Sequence, residues 1–157
     1  MTERSAEHAT FVIDRSYDAS PARVFAAWAD QAAKSRWFGA PDDWETAEYA
    51  LDFRVGGREI NRAAAPGEPV YTYEARYADI VPDQRIAYTY TMDCDDTRIS
   101  VSVTTVEFKP ASAGTKLIFT EQGVFLDGAD KPADREHGTR KLLESLDEAL
   151  RATPVPR

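Results

Sequence analysis

The stretch "LDFRVGGREI" (residues 51–60) sets an acid and an arginine around a phenylalanine and then turns on two adjacent glycines. A glycine pair beside an arginine can cradle a phosphate, shape a catalytic corner or close a hairpin. A nucleotide loop needs a longer glycine pattern leading into a helix N-terminus, whereas here the chain runs on into "REINRAA", a second extended segment. The hairpin is the expected reading, with Gly56 and Gly57 as a two-residue loop that needs φ > 0 at both positions. Its register then pairs Val55 with Arg58, Arg54 with Glu59, Phe53 with Ile60 and Asp52 with Asn61. Arg54 and Glu59 become a cross-strand ion pair, and Phe53 and Ile60 an apolar pair on the other face.

The segments downstream continue this texture. "VYTYEARYADIV", "QRIAYTYTM", "RISVSVTTVEF" and "TKLIFTEQGVF" are rich in β-branched and aromatic residues. They are separated by "APGEP" (65–69), "PDQ" (82–84), "DCDD" (93–96) and "PASAG" (110–114), all of them turn chemistry. Such short connections predict a meander of six antiparallel strands. Upstream, "ATFVIDRSY" (9–17) alternates as a first strand, with Phe11, Ile13, Arg15 and Tyr17 on one side. Ser20 and Pro21 then open a short amphipathic helix through Val24, Phe25 and Trp28. Asp30 caps a second, "QAAKSRWF", which ends at Gly39 and Pro41. Near the C-terminus, Thr139, Leu142, Leu143, Leu146, Ala149 and Leu150 form one apolar stripe on a helix over residues 134–152. The fold class is therefore α+β: about seven antiparallel strands, two short helices after the first, and a long terminal helix that buries its stripe on the sheet.

The 157 residues suit a single domain, expected to run from 1 to 157 with residues 1–8 and 153–157 as flexible tails. An apolar fraction of 43% with 17 aromatics argues for a folded globular core. The net charge of −8, with lysine and arginine scattered, argues against nucleic acid or an anionic membrane as partner. No apolar run approaches the roughly 18–20 residues of a membrane span, and residues 1–10 do not form a secretory signal. A single cysteine, Cys94, fits a reducing cytoplasm, the expected location.

Taken in order, "RSYDASPARVFAAWAD", "WFGAPD", "LDFRVGGRE", "YADIVPDQRIAYTY", "VEFKPASAGTKLIFTEQG" and the closing amphipathic helix resemble the family named after the activator of Hsp90 ATPase, of C-terminal-domain type. That family lies in the START-like, Bet v 1-like superfamily. The resemblance implies a helix-grip fold, a curved sheet wrapped around the C-terminal helix with an apolar cavity between them. Many relatives carry Gly-Trp near the start of that helix, whereas this chain has Gly138-Thr139, a change that opens space there.

Catalytic and metal patterns are sparse. The two histidines, His8 and His137, and one cysteine make no zinc pattern, and "DCDD" and "DGAD" lack calcium-loop spacing, so neither metal nor cofactor is expected. Cys94 sits among three aspartates, the wrong setting for a nucleophile. No G-x-S-x-G elbow occurs. The polar content of inward strands is more informative. Leu117, Phe119 and Glu121 share a face, Ser100, Ser102 and Thr104 lie in phase with Val106 and Phe108, and Tyr88, Tyr90 and Met92 with Ile86. A bulge in strand 98–108 would reverse its phase, and Ile99, Val101 and Val103 on the opposite side form a candidate homodimer surface.

The expected ligand-binding residues are Trp28, Trp37, Phe38, Trp44, Tyr73, Tyr88, Tyr90, Ser102, Phe119, Glu121, Phe125 and Leu142, with Trp37-Phe38 as a lid hinged at Gly39 and Pro41. The leading expectation is a domain that holds a small hydrophobic or amphipathic molecule. An alternative is an enzyme of cyclase, aromatase or hydrolase type in which Glu121 is the general acid or base, helped by Tyr88 or Tyr90. A third reading, from the family name, is a co-factor of an Hsp90-type chaperone. It is disfavoured because chaperone activators add a separate N-terminal docking domain, and this chain begins almost at its first strand.

Overall fold

The computed structural model describes residues 3–39 and 43–152. Seven strands form one antiparallel sheet: β1 (Ala6–Tyr17), β2 (Glu45–Leu51), β3 (Arg58–Ala64), β4 (Tyr71–Val81), β5 (Arg85–Cys94), β6 (Thr97–Ala111) and β7 (Gly114–Leu126). The spatial order is β1-β7-β6-β5-β4-β3-β2, so the meander runs to β7 and β1 closes that side. Three helices complete the chain: α1 (Pro21–Ala29), α2 (Gln31–Phe38) and α3 (Pro132–Ala152). This is the expected α+β architecture, a curved sheet gripping a long C-terminal helix.

Local chemistry accounts for the helix starts. The Ser20 side chain accepts the Arg23 N–H ahead of Pro21, and Asp30 accepts the Ala33 N–H. The same Asp30 donates its own N–H to the Ala26 carbonyl, so one residue ends α1 and begins α2. On α3, Thr139, Leu143 and Leu146 are buried, while Leu142, Ala149 and Leu150 pack at the margin of the core. The C-terminal half of α3 is also tied by hydrogen bonds. Tyr17 donates its hydroxyl to the Leu143 carbonyl (2.8 Å), and Arg23 donates to the Leu150 carbonyl (3.1 Å), where a cation also suits the negative end of the helix.

Three expectations need correction. First, β1 begins at Ala6 and pairs His8 with Val124, so residues 6–8 belong to the sheet and not to a frayed terminus. Residues 1, 2 and 153–157 of the expected tails lie outside the described residues.

Second, the glycine hairpin is not a two-residue loop. β2 stops at Leu51, opposite Glu59, and residues 52–57 form the connection. Their backbone is sewn to β4 instead: Gly56 donates to the Tyr77 carbonyl (2.8 Å), and Gly57 accepts the Tyr77 N–H (3.1 Å). Arg54 turns back to Asp52 at 2.9 Å and does not meet Glu59. Only Gly56 has positive φ, at 83°. Gly57 is needed for space, since a Cβ there would lie 2.0 Å from the Asp52 carbonyl oxygen.

Third, the β6 bulge falls at the start of the strand, where Asp93 faces Arg98 and Met92 faces Ser100. Ser100, Ser102, Thr104, Val106 and Phe108 therefore point inward as expected. Ile99 is buried rather than part of an outer apolar face, which leaves Val101 and Val103 exposed, together with Val12 on β1 at 54%.

Freed from Arg54, Glu59 points into the protein and meets Lys34 of α2 at 2.7 Å, both side chains with no solvent exposure. Tyr77 donates its hydroxyl to the same Glu59 oxygen (2.8 Å), and Tyr49 donates to the other (2.9 Å). The Lys34 ammonium also lies 4.4 Å from the Phe38 ring centre and 5.3 Å from that of Trp28. Burial pulls this ammonium below the usual lysine value, and Glu59 opposes that pull. The pair fastens α2 to β3 and β4 from behind, so α2 presents Trp37 and Phe38 at a set position. Lys34→Met is expected to lower the unfolding free energy by about 3–5 kcal/mol, because it strands a buried carboxylate. Adding Glu59→Gln should recover part of that loss in urea denaturation, whereas a loss under about 1 kcal/mol in the single variant would show that the pair is not a fastening.

Candidate functional site

Between α3 and the inner face of the sheet lies a cavity of about 340 Å³. Its walls are rich in aromatic rings. Trp28 and Trp37 come from α1 and α2 with ring centres 4.7 Å apart, Tyr73 and Tyr90 from β4 and β5 likewise 4.7 Å apart, and Phe119 from β7. Leu142 and Leu143 of α3 form the roof. The period-two pattern of the strands sends these side chains inward, and the 3.6-residue pattern of α3 sends its stripe down to meet them.

One end of the cavity is polar. Tyr90 donates its hydroxyl to Glu121 Oε2 at 2.7 Å, and Ser102 reaches the same oxygen at 3.3 Å. Arg135 on the first turns of α3 lies 3.7 Å from that oxygen too. Its guanidinium donates to the Tyr90 hydroxyl (2.8 Å), to Ser100 (2.8 Å) and to Asp130 (2.7 Å), and rests 5.1 Å above the Phe125 ring. Glu121 is 1% exposed. Burial raises its carboxyl above the ordinary value, against the opposing pull of Tyr90, Arg135 and Ser102. The Tyr90 phenol is likewise pushed up, by burial first and by Glu121 second.

Of the residues expected from sequence, Trp28, Trp37, Phe38, Trp44, Tyr73, Tyr88, Tyr90, Phe119, Glu121 and Leu142 line this cavity. Ser102 and Phe125 stand behind the lining, where one holds Glu121 and the other supports Arg135. At the expected lid, Trp37 and Phe38 both form part of the cavity wall. Trp37 is buried, and its indole N–H donates to the Ala27 carbonyl at 3.0 Å. Pro41 lies outside the described residues.

The expectation that Gly138-Thr139 opens space agrees with both residues lining the cavity, and a Cβ at Gly138 would meet nothing within 4 Å. The sequence does not single out Arg135, Asp130, Asp134, Asn61, Ala63 or Tyr71, whereas Met92 stands on the inward face expected with Tyr88 and Tyr90. Arg135 had a readable signal, since it lies four residues before Thr139 and continues the buried stripe by one turn.

Two residues of this lining each bury a polar atom with no hydrogen-bond partner among the described residues, Trp28 its Nε1 and Asn61 its Oδ1, and the Tyr73 hydroxyl approaches that of Tyr88. The Thr104 hydroxyl approaches Glu121 without the geometry of a hydrogen bond. Among the described residues no group of three or more His, Cys, Asp or Glu side chains could hold a metal ion. No helix among them is long and apolar enough to cross a membrane.

Comparisons with known proteins agree with this architecture. The family model of the activator of Hsp90 ATPase homolog 1-like protein matches residues 18–151. A solved structure of an uncharacterised protein from Rhizobium leguminosarum is 47% identical, covers 97% of this chain and all of its own, and superposes with a TM-score of 0.93. The Mll3558 protein from Rhizobium loti is 48% identical over 92% of this chain and 99% of its own, with a TM-score of 0.87. An AHSA1-like protein from Aeromonas hydrophila, at 20% identity over 95% of this chain and all of its own, shares the fold with a TM-score of 0.66. Comparison with curated proteins returned no match. The chain belongs to the activator of Hsp90 ATPase homolog 1-like family, built as a helix-grip domain.

Proposed function

We propose that this domain binds one small hydrophobic or amphipathic molecule between its sheet and α3. The observation that carries the reading is the cavity itself. About 340 Å³ of space remains inside walls of tryptophan, tyrosine, phenylalanine and leucine, with charge gathered at one end. That is the usual anatomy of a small-molecule site, at the small end of its size range. The chaperone reading draws support only from the family's name, because no feature of the cavity bears on a protein partner.

The neutral naphthalene ketone Prodan is a suitable probe, since its emission shifts to the blue in apolar surroundings. It should bind with one-to-one stoichiometry and quench tryptophan emission. Thr139→Trp restores the bulk that many relatives carry there and should weaken Prodan binding at least about tenfold, or roughly 1.4 kcal/mol, while the protein stays folded. Unchanged affinity in that variant would place the probe elsewhere.

A second reading rests on one specific observation. Glu121 is buried against the cavity with a raised affinity for its proton, the condition a general acid requires. In the folded protein Glu121 binds this proton more tightly than in the unfolded chain. The stability it contributes is therefore complete below the ordinary value of 4.5 and is lost as pH rises through the higher folded value. Denaturation of wild type and Glu121→Gln across that range should show the wild type's relative stability falling as pH rises from 4.5. A flat or rising difference would remove Glu121 as a proton donor.

A further inference from the structure

We infer that the cavity has its mouth at the rim shared by Tyr71 and the first turns of α3, and that it takes an amphipathic molecule tail first, leaving the polar head at that rim. This rests on the reading of the cavity as a small-molecule site, and it names the class of occupant and the way it lies.

Topology and exposure place the mouth. Tyr71 opens β4, opposite Ala63 near the end of β3 and opposite Cys94 at the end of β5. Cys94 in turn faces Thr97 at the start of β6, and β7 ends at Leu126 shortly before α3 begins. One end of the sheet and the N-terminal end of α3 therefore lie together. Lining residues from this rim also meet solvent: Tyr71 is 38% exposed, and Asp134 and Gly138 are exposed on α3. Gly138 adds no bulk to the opening, and the place of its missing Cβ is clear of other atoms to 4 Å. Further in along β7 and α3 the space is shut. Phe119 and Leu143 line it there with Trp28 and Trp37, all of them buried. Behind them Phe108 packs edge-on against both Trp28 and Phe25, with ring centres 6.3 and 5.4 Å away.

Polarity follows the same axis. The charged residues of the lining are Glu121, Asp130, Asp134 and Arg135, and the last three come from the stretch that leads into and begins α3. Glu121 is tied to that stretch through Arg135 and Tyr90. Among the described residues no charged side chain lines the closed end. A polar head carried there would lose its water among rings and leucine, which costs free energy. An apolar tail in the same place gains by leaving water. At the rim the head keeps its water, and a chain attached to it can run out into solvent.

Three ethers of one ring system separate the possibilities: 2-methoxynaphthalene, the 2-naphthyl ether of triethylene glycol, and the 2,6-bis ether with that chain at both ends. In calorimetric titration the first two should bind within about threefold of each other, because the glycol chain leaves through the mouth, and the bis ether at least about tenfold more weakly. Cys94, the single cysteine of the chain, is half-buried opposite Tyr71 and reports on the rim. Saturating glycol mono-ether should slow its alkylation by iodoacetamide about fivefold or more, since access governs thiol reactivity. Thr139→Trp, which fills the cavity, should remove that protection at the same probe concentration. Equal binding of the mono and bis ethers, loss of binding on adding one glycol chain, or an unprotected Cys94 would overturn the mouth and the orientation and leave cavity binding standing. Failure of all three ethers to bind would overturn both.

Discussion

The long helix is held on the sheet by two unlike attachments, and the cavity exists because they differ. Toward its C-terminus α3 packs closely, with Leu143 and Leu146 in the core and Tyr17 bonded to its backbone. Each of those leucines contributes about 1.5–3 kcal/mol by burial. Toward its N-terminus the link is polar. Arg135 reaches across to Tyr90, Ser100 and Glu121, while Gly138 and Thr139 supply little bulk. A guanidinium is long, flat and rich in donors, so it can span the gap without filling it. Replace that end with large apolar side chains and the helix would settle onto the tyrosines of β4 and β5.

The opposite wall depends on a second buried charge pair. Lys34 and Glu59 are wholly enclosed, and such a pair is rarely the most stabilising choice for a core. What it supplies is position. Tyr49, Tyr77 and the aromatic rings of α1 and α2 converge on these two groups, so α2 has a single arrangement that satisfies them. The aromatic wall is thereby set from behind by charge, as the roof is set at one end by Arg135. Polar groups in this protein determine the shape of an apolar space.

Much of the fold was readable in the chain because its signals are local. Alternation in "ATFVIDRSY", the caps at Ser20 and Asp30, and the leucine stripe of α3 each state their structure within a dozen residues. The aromatic lining followed from the same periodicities. The failures share a different cause. Hairpin arithmetic pairs Glu59 with Arg54 because it sees only neighbours in sequence, whereas the true partner, Lys34, lies 25 residues away. The same arithmetic gives Gly57 a dihedral role, whereas its constraint is an oxygen atom 2.0 Å from where a Cβ would stand. Arg135 escapes notice because a charged residue on a helix is usually solvated, although its place one turn before Thr139 continues the buried stripe.

Family membership establishes the grip and leaves its content open, since one fold hosts many functions. The central claim is that the space under α3 holds one small molecule. Crystallographic density in the cavity of protein purified from its native host, with no ligand added, tests this most directly. The expected result is connected density for one small organic molecule lying against Trp28, Tyr73, Phe119 and Leu142. Side chains closed across the space, leaving room for no more than a water or two, would contradict it.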